Sequence, residues 1–142
     1  MRRRLRRYTA IPGMVDVHTH LTYWWDHAPG TKPFGPGGTR RTPAEVATVA
    51  MENARLTLAT GVTTVRDLGA SGYADILMRD RINRGDAVGP RMFVAGYGLQ
   101  KVVPRANVTP AAPASPAFLR GRITTPADIP LAVKTQADSG AD

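Results

Sequence analysis

Short aliphatic runs alternate along this chain with longer stretches of helical periodicity. The first run, Met14-Val15-Asp16-Val17-His18, follows Pro12-Gly13, a turn pair. Strand alternation sends Val15 and Val17 to one face and Asp16, His18 and His20 to the other. That division is unusual for a plain core strand. It suits a barrel strand whose second face opens into a site. Residues 22–41, rich in Gly and Pro, read as a long loop. Thr42-Pro43-Ala44-Glu45 then carries a capping threonine, a proline at the first helical position and a glutamate able to bond back to the cap. Val46, Val49, Ala50, Asn53, Leu56 and Thr57 recur at helical spacing, and Gly61 ends the pattern.

The β-branched run Val62-Thr63-Thr64-Val65-Arg66-Asp67 predicts a second strand, and residues 68–72 a turn. Residues 73–84 predict a second helix, with Ile76, Leu77 and Ile82 inward and Gly85 at its end. Gly89-Pro90 leads into a third strand over 91–95. Residues 96–124, with Pro104, Pro110, Pro113 and Pro116, predict a long loop. Because Pro130 is tolerated only in a first turn, the third helix begins near Asp128 and runs to Ser139, before Gly140. Strand and helix in this alternation imply an α/β fold with a parallel sheet.

One domain is expected from 142 residues, too few for the roughly 250 of a complete (β/α)8 barrel. The chain has no cysteine, which rules out disulfides, cysteine zinc sites and thiol nucleophiles here and leans toward a cytoplasmic protein. No apolar stretch approaches the length of a membrane span. Net charge is +8, but Arg2, Arg3, Arg4, Arg6 and Arg7 supply five of those charges; without them the balance is about +3, ordinary for a soluble domain. The basic character therefore belongs to residues 1–10, read as a disordered leader, and 11–142 as the folded part. Nucleic acid is not the expected partner, since the run is short and has no aromatic residue interleaved before Tyr8.

His18 and His20 stand two apart at a strand end and offer two imidazoles on one side, which suits a divalent metal. Two polar histidines at a strand end are the plain alternative. Asp16 shares their face. Asp67 lies at the end of the second strand, where it could orient a metal-bound histidine or a loop donor, or simply close the turn before Leu68-Gly69. Arg66 points the other way, toward packing or a surface pair. Tyr23, Trp24 and Trp25 could wall a substrate pocket or pack the loop onto the barrel mouth, and His27 reads as a surface loop residue.

These residues also form a family pattern. Ile11-Pro12-Gly13-Met14-Val15-Asp16-Val17-His18-Thr19-His20-Leu21 resembles the opening strand of the amidohydrolase superfamily. Residues 61–69, Gly-Val-Thr-Thr-Val-Arg-Asp-Leu-Gly, resemble its second strand, and Gly89-Pro90-Arg91-Met92 its third. The imidazolonepropionase-like and prolidase-like branch is the most similar. The resemblance implies a partial (β/α)8 TIM barrel, about the first three βα units, with His18 and His20 as the first two metal ligands. It implies one or two divalent ions, zinc being expected, that lower the pKa of bound water and polarise a scissile carbonyl. It also implies cleavage of C–N bonds in small-molecule amides or dipeptides, in a full-length enzyme that is a homo-oligomer.

Three departures qualify the resemblance. Only ten residues precede Ile11, where the family has part of a small β-sandwich. The fourth-strand ligand, two later histidines and a final aspartate fall beyond Gly140-Ala141-Asp142. The Pro-rich loop lacks a Gly-Gly-His motif. The 142 residues alone are accordingly expected to be inactive, with an unpaired sheet edge that invites aggregation. Two other readings compete: a different metallohydrolase with an N-terminal His-x-His, of the polymerase-and-histidinol-phosphatase kind, which would not need the Thr-Thr-Val-Arg-Asp strand; and a non-catalytic basic binding module using the Arg-rich N-terminus, whose affinity would fall steeply with salt.

Overall fold

The computed structural model describes residues 8–23, 42–102 and 116–142. Its centre is a parallel sheet in the order β1-β2-β3, formed by Met14–Thr19, Val62–Asp67 and Arg91–Val94. Helix α1, Pro43–Ala59, connects β1 to β2, and α2, Ala74–Arg84, connects β2 to β3. The alternation expected from the sequence is present, with strand and helix limits within a residue or two of the pattern.

Local chemistry explains the ends. The Thr42 hydroxyl accepts the Glu45 N–H, and the Glu45 carboxylate accepts the Thr42 N–H at 2.6 Å, so the capping box forms with Pro43 inside it. Gly85, at φ 81°, caps α2 in the left-handed region that side chains avoid. Gly13 is required for another reason: a Cβ there would overlap the Thr63 side chain, so β1 and β2 approach too closely for any other residue.

One face of the sheet is covered. Val65, Met92 and Val94 pack with Ala50 and Ala54 of α1, Ile76 and Met78 of α2, and Leu21. One inward assignment, Leu77, needs correction, and one residue of the α1 pattern, Leu56, lies off the buried face. Leu77 is half exposed and Met78 is buried, while Ile76 and Ile82 face the core as expected; Met78 stands three and four residues from Asp75 and Ile82 on the covered side of α2, and Leu77 does not. Leu56 is likewise exposed, and Ala54 is the residue pressed against the sheet, since close helix–sheet contact admits only a small side chain there. The opposite sheet face carries Arg66 beside Phe93, both exposed. Val15 and Val17 remain 64% and 62% exposed, so β1 has no packed partner on their side among the described residues.

The segment after β3 is not all loop. Gln100–Lys101 (β4) and Arg122–Ile123 (β5) pair as a small parallel ribbon, which period-based reading could not find in two-residue strands joined through distant sequence. Helix α3, Asp128–Asp138, begins as expected, with Pro130 in its first turn. Its entry is held by Asp128 Oδ2, which accepts the N–H groups of Thr124 and Thr125 at 2.8 Å each. Past α3 the chain reaches β3: Asp142 N–H donates to Val94 O at 2.9 Å, and the Asp142 carboxylate accepts the Val94 N–H at 2.9 Å and an Arg79 N–H at 3.1 Å.

Candidate metal centre

Both histidines leave β1 on the same side. Their ring centroids are 5.5 Å apart in an edge-on arrangement. Two imidazoles bound to one tetrahedral ion place their centroids about 5 Å apart, so the pair fits a shared ion. His20 Nδ1 lies 3.2 Å from Gly69 O. A carbonyl can only accept, so Nδ1 carries the proton and Nε2 keeps its lone pair for a ligand role. Tyr23 stacks on His20 at 4.5 Å and 16°, covering one ring face. Burial raises the Tyr23 phenol above its ordinary value, helped by the negative charge of Asp67 and Asp75.

Asp16 Oδ1 accepts the His18 N–H at 3.0 Å, which braces the strand just where the first histidine leaves it. Asp67 works on the backbone around the second histidine. Its Oδ2 accepts the Leu21 N–H at 2.7 Å, and its Oδ1 accepts the Gly69 N–H at 3.2 Å. One carboxylate thus closes its own turn and also grips the backbone after His20. Burial raises the Asp67 carboxyl, opposed by these two N–H donors and by His20. Arg66 lies on the uncovered face and lines a hollow of about 330 Å3 with Phe93 and Asp142 at the C-terminal ends of β2 and β3.

Three residues around the site were not singled out in the sequence. Asn53 Nδ2 donates to Leu21 O at 2.8 Å and Tyr23 O at 2.9 Å, tying the segment after His20 to α1. Its signal was a polar residue within an apolar stripe. Asp75 is fully buried and accepts the Gly96 N–H at 2.8 Å and the Ile76 N–H at 2.9 Å. Burial raises its carboxyl too, with Asp67 adding to the effect. Gln136 on α3 accepts the Tyr97 N–H at 2.8 Å. Neither Asp75 nor Gln136 announces itself, because an acid in a helix first turn and a helical glutamine are usually solvated. Trp24, Trp25 and His27 lie outside the described residues. Among the described residues, no group of three or more His, Cys, Asp or Glu is placed to share a metal ion.

A profile of the Amidohydrolase family matches residues 9–132. The chain belongs to the amidohydrolase family. Among solved structures, this amidohydrolase chain is similar to a Xaa-Pro dipeptidase with bound methionine in the active site, at 31% identity and a TM-score of 0.71 over 92% of this chain and 32% of that one. It is also similar to another amidohydrolase, at 27% identity and a TM-score of 0.67 over 92% and 32% of the two chains. A putative prolidase from Bifidobacterium longum matches at 28% identity and a TM-score of 0.55 over 92% and 25%. The chain therefore spans about a third or less of the length of these relatives. No curated protein matched. No helix among the described residues is long and apolar enough to cross a membrane.

Proposed function

We propose that this chain is the metal-binding start of a (β/α)8 amidohydrolase barrel, its first three βα units, in an enzyme that hydrolyses C–N bonds of small amides or dipeptides. The observation that carries the reading is the disposition of His18 and His20: two rings on one side, 5.5 Å apart, with the inner nitrogen of His20 committed to Gly69 O. The 31% identity to a Xaa-Pro dipeptidase supports a dipeptide as substrate class. Homo-oligomeric assembly of the whole enzyme and a cytoplasmic location rest on the sequence reading alone.

His18 and His20 would hold a divalent ion, zinc by the preference of imidazole, with Asp16 and Asp67 bracing the backbone on either side. When bound, that ion supplies Lewis acidity toward a scissile carbonyl and a water. The chain's own residues do the positioning: Tyr23 covers one face of His20, and Gly69 O holds its inner nitrogen. A catalytic zinc site takes three protein ligands, so two imidazoles leave this chain inactive by itself.

The test is calorimetric titration of the chain with Zn2+, beside His18→Ala and His20→Ala. Binding in the parent that either substitution abolishes is the expected result; equal binding by all three overturns the ligand assignment. Release of proline from a Xaa-Pro dipeptide by the chain alone would overturn the inactivity.

A further inference from the structure

We propose that Gln136 is a positioning residue for His20, acting from α3 through two peptide units that end on the His20 ring. This rests on the reading of His20 as a metal ligand. Gln136 Oε1 accepts the Tyr97 N–H at 2.8 Å. The other end of that same peptide unit, Gly96 O, accepts the Ala70 N–H at 2.8 Å. The other end of the Ala70 unit is Gly69 O, which meets His20 Nδ1 at 3.2 Å. Four groups from the ends of β1, β2 and β3 and from α3 thus form one head-to-tail line.

The line is built, not incidental. Gln136 is 6% exposed, and its Nε2 has no hydrogen-bond partner among the described residues. A buried amide donor left unpaired costs stability, and an aliphatic side chain would avoid that cost. The gain lies on the acceptor side, where only an oxygen can meet the Tyr97 N–H. That requirement also fixes which way the amide points. The neighbouring backbone is shaped to admit it. Gly96 sits at φ 72°, and a Cβ there would come within 2.6 Å of Gln136 Oε1. Asp75 Oδ2 holds the Gly96 N–H at 2.8 Å, so both peptide units flanking Gly96 are pinned. At the other end, a Cβ on Gly69 would lie 2.8 Å from Gly98 N, so the two loops touch through glycine.

Hydrogen bonds in series polarise one another: an acceptor at the N–H end of a peptide makes its carbonyl a better acceptor. The Gly69 carbonyl is thereby aimed and strengthened toward His20 Nδ1. That keeps the proton on Nδ1 and the lone pair on Nε2, the arrangement an outward-facing metal ligand needs.

The test is a long-range 1H–15N correlation of the histidine rings in the whole chain at alkaline pH, with a Zn2+ titration followed on the same signals. In the parent, His20 should carry its proton on Nδ1. Gln136→Met, similar in length but with only a weakly accepting thioether in place of the amide oxygen, should move the population toward Nε2–H and weaken Zn2+ binding at His20 about tenfold, the lower end of what outer partners of ligands contribute. Gln136→Glu, which keeps an acceptor oxygen, should restore the Nδ1–H form. Ala132→Gly loosens the same helix without touching the line and should leave the ring signals in place. An unchanged population in Gln136→Met overturns the proposal, as does a shift of equal size in Ala132→Gly. Should Gln136→Met fail to fold, the parent spectrum decides: a predominantly Nε2–H His20 overturns it. Parent rings that ignore Zn2+ overturn the metal site instead, a separate outcome from the tautomer result.

Discussion

Asp67, ending β2, holds the amide of Leu21 at 2.7 Å across a separation of 46 residues. The bond lies just beyond the last paired residues of the two strands and locks the backbone that follows His20. Because the same carboxylate also takes the Gly69 N–H, it fixes the residue whose carbonyl meets the His20 ring.

Asp67→Ala should cost this chain about 2 kcal/mol. Two buried N–H donors lose their acceptor, at about 1–3 kcal/mol each, offset in part by removal of a desolvated carboxylate. Urea unfolding of parent and variant reads the difference. A change below about 0.5 kcal/mol, the size of an ordinary surface substitution, would contradict the clamp.

The pH dependence follows from two buried acids. Burial raises the folded-state values of Asp67 and Asp75 above the ordinary 3.8. The native chain then holds these protons more tightly than the unfolded one. Each group therefore penalises the fold above its raised value, and the penalty is relieved as pH falls toward 3.8. Asp75→Asn removes one such titration while keeping an acceptor for Gly96. The stability of the parent relative to this variant should rise as the solution is taken from neutral to weakly acidic. Melting curves of both proteins across that window measure it, and a constant or opposite difference refutes it.

Gly13→Ala should destabilise the sheet by about 1–3 kcal/mol, the usual cost of forcing atoms into a packed site. The added methyl meets Thr63 on β2. Combining it with Thr63→Ala, which removes the two atoms most closely met, should return part of the loss. Additive losses in the double variant would show that the strain lies elsewhere.

Zn2+ should raise the melting temperature of the parent chain, reversibly with a chelator, because a ligand that binds only the folded state stabilises it. His18→Ala and His20→Ala should show no such rise. Of the two, His20→Ala should also be less stable without metal, since it loses the Gly69 bond and the stacked Tyr23 ring. Calorimetric scans with and without Zn2+ would detect a failure of either part.

Periodicity located the three sheet strands and three helices because each is long enough, or capped clearly enough, for local rules to act. Thr42 with Glu45, Gly85 and Pro130 marked ends that the structure repeats. Inward faces were less legible. Which of Leu77 and Met78 is buried depends on which side of α2 meets the sheet, and both are apolar enough for either place. The ribbon of β4 and β5 was invisible for a similar reason: each strand is two residues long and finds its partner 22 positions away.

His18 and His20 on one side of a strand end were determined by the sequence itself, since a spacing of two residues in extended backbone permits little else. The chain also fixed the capping chemistry and the glycines that turns and close contacts require. Only the tertiary structure decided what holds the histidines in place. Asp67, Asp75, Asn53 and Gln136 act on backbone groups tens of residues away, on other loops. Such bonds leave no local period, because a buried polar side chain is chosen by the unsatisfied N–H or carbonyl that folding brings to it.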